Sequence, residues 1–264
     1  MPKQKIDAGT LYYEVRGSGE PLLLIAGLGA DNSCWSGVVK RFSSRFQTIV
    51  FDNPGSGRSS NFRKPHTIRH LAADAASLLD YLGIERAHLI GHSMGGYIAQ
   101  EFAINYPGRV NKLILEGTAS VSSSRNNALF SGFSKKLQEK EAVEAWIKTW
   151  AVWLFSPKTV ASGTFVKTFI KQAAKYPYPA SAEGFKAQAE AMAKFDARGR
   201  LSAIKAKALI IEGEDDILIR PEEAGGLAKQ IPGSKIRLIK NTAHYLHIEN
   251  PSLFTKIATE FLGN

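Results

Sequence analysis

A chain of 264 residues with 44% hydrophobic composition has material for one large domain with an insertion or two small ones, which excludes a wholly disordered chain. Its formal net charge of +10 at pH 7 favours acidic partners, while the lack of any run of about 18 apolar residues argues against a membrane-spanning helix. The single cysteine, Cys34, can form no internal disulfide and has no companions at metal-ligand spacing, so it reads as a buried thiol in a reducing compartment.

In chain order, Met1-Pro2-Lys3-Gln4-Lys5 is polar and lacks the apolar centre of a secretion signal, so a cytoplasmic protein is expected. Leu11 to Val15 alternates as a strand, and Gly17-Ser18-Gly19 turns it into the apolar run Leu22 to Ala26, the pattern of an interior parallel strand. Thr48 to Phe51 reads as another strand, and His66 to Leu82 has helical spacing that ends at Gly83. Ala87 to Ile90 is a short buried strand, Tyr97 to Tyr106 a helix stopped by Pro107-Gly108, and Lys112 to Leu115 the next strand. This alternation predicts an α/β fold with a mostly parallel, doubly wound sheet.

From Thr118 the pattern changes to a Ser/Asn-rich stretch and then helical spacing without a strand. Residues 118–203 are therefore expected to form a helical cap inserted in a core of 1–117 and 204–264. Trp146, Trp150 and Trp153 mark one aromatic helix face, and Tyr176-Pro177-Tyr178-Pro179 interrupts the helices. The cap holds 13 Lys/Arg against 6 Asp/Glu, so +7 of the net charge lies there and +3 elsewhere. Strands resume at Ala208 to Ile211 and Ile236 to Ile239, and the helix Pro251 to Leu262 closes the chain.

The chemistry is concentrated in Gly91-His92-Ser93-Met94-Gly95-Gly96. A serine between glycines at a strand-to-helix turn is the nucleophile-elbow pattern, in which the small flanking residues let neighbouring backbones pass and the hydroxyl projects beside a helix N-terminus. A serine hydroxyl needs an adjacent base, and the base needs a group to orient it and stabilise its charge. Of the six histidines, His244 lies in a loop past the last strand, where a doubly wound sheet gathers its site residues; His247 is given a packing role. Four carboxylates follow the preceding strand in Glu212-Gly213-Glu214-Asp215-Asp216.

At this point the chain resembles the α/β-hydrolase superfamily, whose members follow the order nucleophile, acid, histidine. The resemblance implies Asp216, three residues after Gly213, as the acid, with Asp215 the next candidate and Glu116 the candidate in members that carry the acid after an earlier strand. It also implies two oxyanion donors, Met94 N–H and, by the match of Ala26-Gly27-Leu28-Gly29 to the family's His-Gly-x-Gly, Leu28 N–H. Ala26 departs from the family's histidine and removes a side chain that usually braces this loop. Asp52-Asn53-Pro54-Gly55-Ser56-Gly57-Arg58-Ser59 is similar to a family turn in which Asp52 and Arg58 organise loops, and it lacks the endings of phosphate-binding motifs.

Within the superfamily the core is similar to small capped serine esterases, among them enol-lactonases of 3-oxoadipate and pimeloyl-carrier-protein methyl esterases. The resemblance implies cleavage of a carboxylic ester or thioester through an acyl-enzyme, with no cofactor and no metal. The basic cap favours an anionic acyl group or an acidic acyl carrier protein, although lysines paired with Glu139, Glu141 and Glu144 would make the same pattern. Trp35, Trp146, Trp150 and Leu218 are candidate substrate contacts. Carbon–carbon bond cleavage or enol-lactone opening on the same triad is the alternative, and a non-catalytic ligand-binding protein of the same fold is the alternative of another class. No nucleic-acid-binding motif accompanies the charge.

Overall fold

The computed structural model describes residues 2–6, 9–62, 65–139 and 143–263, with only the main chain for Val143. Lys140 and Glu141, counted in the cap's charge, lie outside the described residues. One sheet holds β1 (Lys3–Ile6), β2 (Gly9–Arg16), β3 (Glu20–Ile25), β4 (Phe46–Phe51), β5 (Ala87–His92), β6 (Val110–Glu116), β7 (Lys207–Gly213) and β8 (Lys235–Ile239). Their spatial order is β1-β2-β4-β3-β5-β6-β7-β8. β2 pairs antiparallel with β1 and β4, and all pairings from β4 to β8 are parallel.

The helices before the insertion are α1 (Ser36–Phe42), α2 (Ile68–Tyr81) and α3 (Met94–Asn105). Between β6 and β7 come α4 (Ser124–Gln138), α5 (Val143–Leu154), α6 (Pro157–Ala161), α7 (Gly163–Ala174) and α8 (Ala182–Ala193). α9 (Pro221–Gln230), α10 (Leu246–Glu249) and α11 (Pro251–Gly263) complete the chain. Alternation along the apolar strands feeds two cores. Leu23 and Ile25 of β3 join the core under α2 and α3, while Leu22 and Leu24 face the core built with α1 and α11. A strand buried on both faces has no polar side, which is why these runs read as continuous apolar sequence.

Differences from the sequence reading are at boundaries and edges. β1 was not expected: four residues with only Gln4 buried carry no alternating apolar signal. The expected helix from His66 begins at Ile68 because Thr67 caps it, its side chain accepting from the His70 N–H. α3 starts at Met94, directly after Ser93, not at Tyr97. β8 is an edge strand, and Ile236 and Leu238 stay exposed despite their apolar side chains. Among the described residues no helix is long and apolar enough to cross a membrane.

Candidate active site

The parallel strands β3, β5, β6, β7 and β8 all deliver their C-terminal loops to one edge of the sheet, and the order reverses beside β3 and β5, where such sheets hold their sites. Ser93 follows the fully buried β5 with φ 53° and ψ −117°, a backbone conformation that L-residues rarely adopt. The strain is held by main-chain bonds: Ser93 N–H donates to Glu116 O at 2.9 Å, and Ser93 O accepts from Thr118 Oγ1 at 3.0 Å. A Cβ on Gly95 would stand 2.0 Å from Ile25 O, so only glycine lets α3 start this close to β3. Ser93 is 9% exposed.

His244 and Asp216 come from neighbouring loops and meet. His244 Nδ1 donates to Asp216 Oδ2 at 2.7 Å, with both residues buried. The other carboxylate oxygen, Oδ1, accepts the main-chain N–H groups of Leu218 at 2.7 Å and Ile219 at 3.0 Å, so the carboxylate cannot rotate without losing both. The loops cross through Glu214 N–H to Ile239 O and Asp215 N–H to Thr242 O, which sends Asp216 toward the histidine and leaves Asp215 half-buried beside it. Glu116 faces a different partner: its carboxylate accepts His247 Nδ1 at 2.8 Å and the His247 main-chain N–H at 3.0 Å.

Behind His244 stands His92, whose Nε2 donates to His244 O at 3.0 Å. Since a carbonyl only accepts, the His92 proton is on Nε2. Burial and then the neighbouring His244 and His247 push its pKa well below the usual histidine value, so the ring stays neutral. Trp35 belongs to this layer and not to a substrate wall: it is fully buried, its ring stacked on His247 at 4.3 Å and tilted against Phe254 at 6.4 Å. Leu218 is likewise buried at 1% exposure, and its main chain serves Asp216 through N–H and α4 through its carbonyl, which accepts Asn126 Nδ2 at 2.7 Å.

Glu212, at the end of β7, is a site residue that the sequence reading left among four carboxylates. Burial, and then the adjacent Asp216 charge, hold its pKa well above the ordinary 4.5. Its Oε1 accepts Gly213 N–H at 3.0 Å, while Oε2 is buried without a hydrogen-bond partner among the described residues. A raised folded-state pKa stabilises the fold below the ordinary carboxylate value, and that stabilisation is lost as pH rises through the folded value. The neutral isostere needs no proton. Glu212→Gln should melt with wild type near pH 4.5 and exceed it by roughly 2–6 °C at pH 8, measured by thermal denaturation across pH.

The loop after β3 closes on Ser93: a Cβ on Gly27 would lie 3.2 Å from Ser93 Cβ. Leu28 is buried at 6% exposure, and Met94 N–H is the first donor of α3, beyond reach of any carbonyl of its own helix. Asn53 Nδ2 donates to Ala26 O at 3.0 Å, and Asp52 joins the loops by accepting Asn32 N–H at 2.9 Å and Arg58 N–H at 2.8 Å. Over this loop lie the inserted helices. Trp146 and Trp150 pack with Phe133 and Phe185, and the Phe185 ring sits against Gly29. Tyr176 donates its hydroxyl to Asp31 Oδ2; burial, and then this bond, raise the phenol pKa.

A second attachment ties the insertion to the histidine loop. Glu249 accepts Ala243 N–H at 2.7 Å, Ser156 Oγ at 2.6 Å and the Thr159 hydroxyl. His92, Glu212, Glu249, Phe185 and Gln188 thus surround the candidate residues, in places that the sequence pattern does not assign. Their signal is polar or aromatic burial, which needs coordinates. Among the described residues no group of three His, Cys, Asp or Glu side chains is arranged to hold a metal ion.

Residues 20–251 match the family model described as alpha/beta hydrolase fold. The chain is 30% identical over its whole length, and over 98% of the relative, to an Azorhizobium caulinodans protein whose name proposes it as a carbamate hydrolase, RutD. Among solved structures it is similar to the enol-lactonase of Burkholderia xenovorans LB400, with 26% identity, TM-score 0.90 and all of both chains covered. It is also similar to a thermophilic esterase of Thermogutta terrifontis, with 27% identity, TM-score 0.88 and coverage of 99% and 97%.

Proposed function

The chain belongs to the alpha/beta hydrolase fold family and is a hydrolase, and from that premise we propose that it cleaves a carboxylic ester or thioester through an acyl-enzyme on Ser93. The observation that carries this reading is the buried 2.7 Å contact of His244 Nδ1 with an Asp216 fixed by two main-chain donors. That contact keeps the Nδ1 proton in place and leaves Nε2 as the acceptor. In the proposed sequence Ser93 Oγ bonds to the carbonyl carbon and its proton passes to His244 Nε2. Leu28 and Met94 N–H groups stabilise the oxyanion. Collapse breaks the bond to the leaving alcohol or thiol, which takes the proton from His244. Water, deprotonated by the same nitrogen, then releases the acid and restores Ser93. No cofactor takes part.

Residues 118–203 serve in this reading as a cap over a core of 1–117 and 204–264, with Trp146 and Trp150 toward the acyl chain. Lys148, Lys158, Lys167, Lys171 and Lys175 lie exposed on this segment and support an anionic acyl group, free or on an acidic carrier protein, as in a pimeloyl methyl ester. Cytoplasmic placement accords with the lone Cys34. The 30% identical relative favours a second reading, in which the same attack falls on a carbamate carbonyl.

Fluorophosphonate treatment tests the reading. One phosphonyl group should appear on the Ser93 peptide by mass spectrometry, and loss of p-nitrophenyl ester turnover should follow its uptake. An adduct elsewhere, or none, refutes it. A panel of neutral acyl, ω-carboxylated acyl, enol-lactone and carbamate substrates then separates the classes by kcat/KM.

A further inference from the structure

We propose that Gln188, on the inserted helix α8, is a positioning residue that sets the oxyanion hole by pinning one peptide plane of the loop after β3. The inference rests on the reading that Leu28 N–H is an oxyanion donor. Ala30 N–H donates to Gly27 O at 3.3 Å, closing a β-turn of Gly27-Leu28-Gly29-Ala30. Gly29 at its third position has φ +68°, whereas Leu28 is not among the positive-φ residues, which is the type II form. In such a turn the N–H of the second residue, Leu28, is outside the turn's hydrogen bond and free to face a ligand.

The peptide between the second and third residues is the plane whose rotation interconverts type II and type I turns. Here Gly29 N–H, the donor of that plane, is held at 2.8 Å by Gln188 Oε1. The amide orientation follows from its neighbours: Nε2 donates to Pro54 O at 2.8 Å and Ser56 Oγ at 3.0 Å, and a carbonyl cannot face an amide oxygen. Gln188 is fully buried, so each of these bonds is made without competing water. One side chain from the insertion therefore spans both loops of the core. It keeps the Leu28 carbonyl turned away from the hole and the Leu28 N–H in place. Ala26 carries no side chain able to brace the loop, and Gln188 supplies that brace from above.

The test compares wild type with Gln188→Met and Gln188→Asn, which cannot accept from Gly29, and with Gln188→Glu, which keeps an oxygen there and, when neutral, a proton for Pro54. Two readouts are taken: kcat and KM on p-nitrophenyl acetate, and inhibition by a trifluoromethyl ketone, whose serine adduct places an oxyanion in the hole. Loss of a direct oxyanion donor costs roughly 10²–10³-fold, and a loosened donor should cost about 10- to 100-fold in kcat with KM within about twofold. Inhibitor affinity should fall by a similar factor, and Gln188→Glu should recover most of both. Circular dichroism melts identify which variants fold, and either truncating variant decides. Wild-type kcat and inhibitor affinity in a folded truncating variant overturns the role, as does a Gln188→Glu variant no better than Gln188→Met. A wild type that neither hydrolyses the ester nor takes up fluorophosphonate refutes the serine-hydrolase reading itself. An active wild type with unaffected variants refutes only the part assigned to Gln188.

Discussion

Asp216→Asn should lower kcat on any ester the protein hydrolyses by about 10⁴-fold while leaving the fold and KM nearly unchanged. The size follows from which atom the amide must place where. Oδ1 accepts two main-chain N–H groups, from Leu218 at 2.7 Å and Ile219 at 3.0 Å, and an NH₂ group in that position would oppose both. The asparagine oxygen must therefore occupy this side, and its NH₂ must face His244 Nδ1. A nitrogen that had donated to the carboxylate now has to accept. The imidazole proton moves to Nε2, and the atom needed to take the serine proton already holds one. A steady-state comparison with wild type checks this, together with residual activity that rises with pH if hydroxide replaces the missing base. Activity within tenfold of wild type would remove Asp216 from the proposed triad. Glu116 offers no ready substitute, because both of its oxygens are engaged by His247.

Gly95→Ala should give a protein that does not accumulate in folded form, or one destabilised by at least about 3 kcal/mol. The added carbon would lie 2.0 Å from Ile25 O and 2.8 Å from Ala26 O, both main-chain atoms of the strand and loop beside the elbow. A clash with a side chain can be relieved by a rotamer, but a clash with a paired strand moves the strand. β3 lies between β4 and β5, so its displacement breaks pairing on two sides. Chemical denaturation of any soluble fraction measures the loss. Stability within about 1 kcal/mol of wild type would show that α3 can shift without β3.

The architecture was legible because buried strands and amphipathic helices leave periodic signals, and the order of the motifs follows the sheet. Leu22 to Ala26 needed no partner to be read as interior, since both of its faces are covered. His244 is legible as a candidate from its place after the last strand. Which of Asp215 and Asp216 contacts His244 is not a matter of spacing alone: it depends on the crossing of two loops at Thr242 and Ile239, far apart in sequence from both carboxylates. Trp35 and Leu218 are buried, which proximity in sequence to a site loop does not reveal. Gln188 was silent for the opposite reason. Its partners stand 159 and 134 positions away, and a glutamine on a helix ordinarily faces water.

Glu249 carries a consequence for how substitutions combine. One carboxylate serves Ala243 N–H in the loop of the histidine and the hydroxyls of Ser156 and Thr159 at the start of α6. Groups that share an acceptor compete for and reinforce one another, so their energies are not separate quantities. The value of the Ser156 hydroxyl depends on whether Thr159 still has its own, and both depend on what the histidine loop demands. Thermodynamic coupling between the histidine loop and the insertion thereby runs in part through one shared carboxylate, where pairwise additivity fails.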